Sequence, residues 1–265
     1  MPTFLSEFTK DIDLRWEEVD LLIAQCEIAE NDNPKLYSAL SRSISVLIVA
    51  HLEGFIKDLA KAVIHDINQY CDFSRLAIGI QRTYCRKFLG NQDNISGNYQ
   101  FYVVQLIEKF SESQCSISHE PYLISDNKNP KPDVLKTVLS NFGIKNIFSN
   151  IKESDFDEIF ADMPLNEIQD NTQLAKEILL EDLDIFPYSS ALDTFKLQET
   201  KVANSERTLC QTFLDEINQK RHEVAHGNIF NNSESPKVLR KRRFTVYYLQ
   251  LVLIALISTV NLVQD

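Results

Sequence analysis

Between Leu36 and Ile67, apolar side chains return every third or fourth residue: Leu36, Leu40, Ile44, Leu47, Ile48, Phe55, Leu59, Val63 and Ile67. That period lines one face of a helix and would scatter over both faces of a strand. The segment predicts one long helix reaching almost to residue 70. Asn33-Pro34 opens it with a capping side chain followed by a proline at the first helical position. Gly54 interrupts it at a cost of roughly 1 kcal/mol against alanine, which points to close packing of a second backbone there. Upstream, Phe4, Phe8, Ile12, Val19, Leu22, Ile23 and Cys26 keep the same period and predict a first helix to about residue 30. The chain holds only 6 glycines and 8 prolines in 265 residues, too few for the tight turns of a sandwich or barrel. The expectation is an all-α protein.

Further helices are predicted near 73–89, 98–111, 132–142, 154–162 and 165–184, with a polar loop over about 112–131 and an irregular connection over 185–203. Gly143 reads as a helix-terminating residue. Two helices follow, from about Ser205 to His226 and from Ser235-Pro236 to about residue 262. The short loop between them predicts antiparallel neighbours. Phe244–Val263 carries no charge and follows Arg240-Lys241-Arg242-Arg243, a pattern shared by a membrane anchor with a positive flank. Thr245, Gln250, Ser258, Thr259 and Asn261 dilute the run, which favours a helix buried in a bundle.

The formal net charge is −11 and the pI about 5.0, which argues against whole-chain attraction to nucleic acid. Any RNA contact must come from a local basic patch. Cys26, Cys71, Cys85, Cys115 and Cys210 form no C-x-x-C pair and read as free thiols of a cytoplasmic protein. The start, Met-Pro-Thr-Phe-Leu, lacks the basic and apolar regions of a signal peptide.

Chemistry concentrates in Lys220-Arg221-His222-Glu223-Val224-Ala225-His226-Gly227. His222-Glu223-x-x-His226 places two imidazoles on one helix face, as in zinc peptidases, with Glu223 as the general base. Against this, a third ligand is wanting: the acids downstream of His226 are Glu234 and Asp265, and Ile229 stands where an extended motif has glycine. The segment also contains Arg221-x4-His226. Together with His51-Leu-Glu-Gly-Phe-Ile-Lys57, Asn141-Phe-Gly-Ile144, the Ala-His-Gly ending and the apolar closing helix, it resembles the HEPN domains (higher eukaryotes and prokaryotes nucleotide-binding), most closely the MAE-like subfamily. The resemblance covers about 1–70 and 204–263, with a helical insertion over about 71–203.

That resemblance implies a single HEPN-type helical bundle spanning 1–265, and a homodimeric endoribonuclease that uses no metal or other cofactor. It further implies a toxin–antitoxin or defence setting, RNA as the partner, and a cognate antitoxin or defence-system protein as a second one. Arg221 would hold the scissile phosphate, and His226 would act as base on the 2′-OH or as acid to the 5′-oxygen. His222 and Glu53 would support them. Where some family toxins have a modified tyrosine, this chain has Asn228. A non-catalytic dimerisation or nucleotide-binding module is the alternative.

The residues themselves leave other readings open. Arg221 falls on the apolar stripe of Leu209, Phe213, Leu214, Ile217 and Val224, about 140° from His226 on a wheel of about 100° per residue. It could bridge to Glu53 as a structural ion pair, and His226 could answer the helix dipole. Lys237, Arg240, Lys241, Arg242 and Arg243 form a basic run that reads as an RNA-backbone strip or as a solvated face.

Overall fold

The computed structural model describes residues 2–90, 97–124, 129–188, 206–227 and 233–264. The helices are α1 (Phe4–Lys10), α2 (Ile12–Asp32), α3 (Pro34–Tyr70), α4 (Ile78–Leu89), α5 (Tyr99–Glu112), α6 (Pro132–Asn141), α7 (Ile147–Lys152), α8 (Leu165–Leu183), α9 (Leu209–Ala225) and α10 (Pro236–Ser258). Short 3-10 turns occur at Phe73–Arg75, Glu120–Tyr122 and Asp157–Phe160. Among the described residues there is no strand, only an isolated antiparallel bridge between Leu76 and Val263. The all-α helical bundle is as expected.

α3 is the axis. α1, α2, α9 and α10 all pack against it, and α10 also packs against α8 and α2. Asn33 caps α3 through its side chain, which accepts from the Leu36 amide at 3.1 Å. By length and composition α3 is apolar enough to cross a membrane, but here it forms the centre of the bundle. α10, the other apolar run, is buried on every side from Thr245 to Ser258. Each fully buried Leu, Ile or Val there contributes about 1.5–3 kcal/mol. The last two helices are therefore not chiefly a pair: both lean on α3.

Other departures have local causes. The expected first helix is two, broken at Asp11. Residues 154–162 form only a 3-10 turn, because the Ser154 hydroxyl accepts from the Phe156 amide at 3.2 Å and competes with helical hydrogen bonding. Gly54 faces open space, with nothing within 4 Å of the point where a Cβ would stand, so close backbone packing is not the reason for it. Gly143 does end a helix, with φ +100.

Polar ties cross the seam between α2, α8 and α10. Arg243, 4% exposed, donates to Asp20 at 2.7 Å. Its guanidinium lies 4.2 Å from the Phe244 ring centroid and 5.1 Å from that of Trp16. Tyr247 donates to Asp13 at 2.6 Å, and the Trp16 indole to Gln250 at 3.0 Å. α1 is held by Asp66, whose carboxylate accepts from the amides of Phe4 and Leu5 at 2.7 and 3.0 Å.

His51 stacks on Trp16, ring centroids 5.1 Å apart. Burial is the main cause that lowers its pKa from 6.5; Glu18 opposes the shift, and Arg15 and Arg243 add to it. The unfolded chain then binds this proton more tightly than the folded one. Stability present above pH 6.5 is lost as pH falls through the lowered value. Denaturant titrations should show that slope in the parent and a flatter one in His51→Gln. Removing Asp20 strands a buried guanidinium, so Asp20→Ala should lower unfolding free energy by about 3–5 kcal/mol, more than Arg243→Met.

Candidate functional site

α9 begins with a reciprocal cap. Thr208 accepts from the Gln211 amide at 3.3 Å, and the Gln211 side chain accepts from the Thr208 amide at 3.0 Å. Leu214, Ile217 and Asn218 bury one face. Asn218 donates to the Pro130 carbonyl at 3.1 Å, fastening α9 to the start of α6. That anchor was not evident from the sequence, where an asparagine among apolar neighbours has no visible partner. The helix closes at Ala225. His226 is the C-cap residue, its amide bonded to the His222 carbonyl at 3.0 Å, and Gly227 follows with φ +67.

Arg221 continues the line of Leu214 and Asn218 and is half-buried. Among the described residues, no hydrogen bond or ion pair engages its guanidinium. His222 and His226 are exposed, and their rings touch, with centroids 4.2 Å apart at 53°. His222 opens onto a groove lined by Asn129, Lys131, Asp215 and Gln219. On the opposite flank, Val224 faces a second groove against Ala39, Ser43 and Leu47 of α3. The helix end is thus bounded by a groove on each side, with Arg221 between them.

Glu53 does not join this group. Its carboxylate pairs with Lys57 one turn along α3 at 2.8 Å. The end of α9 lies beside residues 39–47 of α3, about two to four turns before Glu53, and no Arg221–Glu53 bridge is formed among the described residues. Glu223 accepts from Gln219 at 3.0 Å. Among the described residues, no group of three or more His, Cys, Asp or Glu could hold a metal. Asn228, Ile229 and Asp265 lie outside the described residues.

The basic run is largely spoken for. Arg240 pairs with Glu27 at 2.9 Å, Lys241 with Asp162, and Arg242 with Glu234. Arg243 is the buried cation above Trp16, and a side chain so enclosed cannot meet an RNA backbone. Only Lys237 of the run is exposed and, among the described residues, without an ion-pair partner. The run ties α10 to its neighbours because the bundle surrounds it with acids, which a linear charge pattern does not reveal.

Glu234, seen in the sequence only as a possible metal ligand, clamps the return from α9. Its main chain accepts from Tyr37 and Ser41 at 3.1 and 3.0 Å, and its amide donates to Ser41 at 2.8 Å. Its carboxylate accepts from Ser45 at 3.1 Å and pairs with Arg242. All five cysteines are free thiols.

A helical bundle built around one long helix, with a guanidinium and two imidazoles at the end of the penultimate one, is of the HEPN type. The family model described as RiboL-PSP-HEPN matches residues 11–257, so the chain belongs to the RiboL-PSP-HEPN family. That span includes the expected insertion, 71–203. No curated protein and no solved structure matches the chain significantly. Family membership and the all-α fold support a general RNA-binding or nuclease-like role.

Glu234→Ala removes two side-chain partners while sparing the backbone ones. It should lower unfolding free energy by about 1–3 kcal/mol, read by chemical denaturation, and Ser45→Ala should cost less.

Proposed function

We propose that the chain is a metal-independent endoribonuclease acting as a homodimer, with Arg221 and His226 as its catalytic residues. The single observation that carries this reading is the half-buried Arg221 guanidinium, without a partner among the described residues, beside the contacting His222–His226 pair at an open helix end. A cation on a packing face is costly unless an anion meets it. A scissile phosphate is an anion that a planar, always charged guanidinium binds well.

The reaction follows from these groups. The ribose 2′-oxygen attacks phosphorus and gives its proton to an imidazole. The bond from phosphorus to the 5′-oxygen breaks, and that oxygen takes a proton from an acid. The products carry a 2′,3′-cyclic phosphate and a 5′-hydroxyl. Arg221 stabilises the charge that builds on the phosphorane. Attacking and leaving oxygens stand on opposite sides of phosphorus, whereas the two imidazoles of one chain sit 4.2 Å apart. One chain's pair therefore serves one side, with His226 transferring the proton and His222 positioning it or the phosphate. The opposite side calls for His226 of a second copy, and that requirement is the reason for assigning a homodimer.

In the MAE-like reading the enzyme works in the cytoplasm, in a toxin–antitoxin or defence setting, and a cognate protein restrains it. Five free thiols agree with a reducing compartment. A zinc peptidase has less behind it, since Glu234 is engaged by Arg242 and Ser45 rather than turned towards the histidines. A non-catalytic binding module is the outcome if the purified dimer leaves RNA intact.

The test is cleavage of single-stranded RNA with EDTA present. The parent should cut and leave cyclic phosphate ends, and a 2′-deoxy substitution at the cut site should abolish cleavage. His226→Ala should lower the rate by about 10²–10⁴ and Arg221→Ala by about 10²–10³, both with unchanged circular dichroism.

A further inference from the structure

α4 carries three charged residues in this acidic chain, all of them cations: Arg82, Arg86 and Lys87. All three are exposed and, among the described residues, none has an ion-pair partner. The dipole at the end of a helix accounts for Arg86 and Lys87 in the last turn, but not for Arg82. Nor does it account for the aromatic rings beside them. Phe88 is 56% and Phe101 53% exposed. The Phe88 ring is held in place, its centroid 5.2 Å from that of Tyr84 and 5.3 Å from that of Phe110. α4 and α5 pack together, and the Tyr99 hydroxyl donates to the Gly90 carbonyl at 3.4 Å. The start of α5, and with it Phe101, therefore lies at the end of α4 that carries Arg86, Lys87 and Phe88.

Exposed rings on a fixed base, set among unpaired cations, suit one ligand in particular. Single-stranded nucleic acid offers flat bases to stack and phosphates to pair, with no demand for a sequence-specific hydrogen-bond pattern. We propose that the α4–α5 hairpin is a binding face for single-stranded RNA, with Arg82, Arg86 and Lys87 meeting the backbone and Phe88 and Phe101 stacking bases. This rests on RNA being the substrate, and it places the RNA-backbone contact on α4 rather than on the paired cations of α10. α6 links the two regions. One end of it holds α9 through Pro130 and Asn218. From the other end, Asn141 donates to the Tyr122 carbonyl at 3.0 Å, and Tyr122 donates to the Ile80 carbonyl of α4 at 3.0 Å.

The experiment measures binding of a labelled oligouridylate of about 12 nucleotides to His226→Ala protein, which leaves the probe intact. Adding Arg82→Gln, Arg86→Gln and Lys87→Gln together should weaken binding at least tenfold. It should also flatten the dependence of log K on log salt by about 2, as expected for three phosphate contacts on a single strand. Phe88→Ala should weaken binding about tenfold with the salt slope unchanged. Thermal melting should stay at the parent value in the triple variant, because its substituted side chains are exposed. Equal binding by parent and triple variant overturns the inference, as does a parent that does not bind. Binding to phosphatidylserine vesicles that needs α4, without RNA binding, overturns it in favour of a membrane surface. Cleavage by the protein with His226 intact is followed in parallel. If the triple substitution leaves binding and cutting unchanged, the hairpin inference falls and the nuclease stands. If the triple variant loses binding while the intact protein never cuts, the hairpin stands and the nuclease falls.

Discussion

The bundle depends on how it buries one charge. α10 can occupy the interior only if the guanidinium of Arg243 is accommodated at its edge, and two devices do this. Asp20 neutralises it at 2.7 Å, and the faces of Phe244, Trp16 and Tyr247 surround it with ring electron density. Among the described residues its Nε and Nη1 atoms find no hydrogen-bond acceptor, so the rings, which attract a cation without accepting conventional hydrogen bonds, are the other main compensation. With that cation settled, the next fifteen or so residues of α10, about four turns, run through the interior as largely apolar packing, with Thr245, Tyr247, Gln250 and Ser258 each hydrogen-bonded.

From this seam outward the polar contacts become ties between elements. Lys176 of α8 reaches the Lys10 carbonyl at 3.0 Å and the Asp13 carboxylate at 2.5 Å. Asp13 also receives Tyr247. One carboxylate thereby joins α2, α8 and α10, and burial, which would raise its pKa, is outweighed by the hydrogen bonds of Lys176 and Tyr247 and the nearby cations, which hold it low. The end of α9 stands outside this economy. Among the described residues it keeps a guanidinium unengaged and two imidazoles in water, whereas Arg240, Lys241, Arg242 and Arg243 at the start of α10 are all paired. The contrast between satisfied and unsatisfied ions separates scaffold from site more sharply than position in the chain does.

Much of the framework was legible in the sequence because it is written in local signals. Asn33-Pro34 and Ser235-Pro236 open helices where expected, and Gly143 and Gly227 close them with positive φ. Period alone marked α3 and the closing helix. The site was half legible. The Arg221–His226 segment and its place at a helix end could be read from spacing, as could the seat of Arg221 on the packing face. Its surroundings could not, because they are set by elements distant in sequence. Glu53 found Lys57 within its own helix, and the cations of α10 found Glu27, Asp162, Glu234 and Asp20. Asn218 found a carbonyl contributed by Pro130. A charge run tells how many ions there are, and only the packed structure tells which remain unmatched.

The stretch after α10 doubles back to the foot of α4. The Ala77 amide donates to the Leu262 carbonyl at 2.9 Å, and the Gln264 amide donates to the Arg75 carbonyl at 2.7 Å. The Gln264 side chain adds a contact to Leu76 at 2.7 Å. This short stitch works as a hasp, fastening the root of the hairpin to the far side of the bundle. Tension applied beyond Gln264, by a tether or a tag, would be transmitted first to that root.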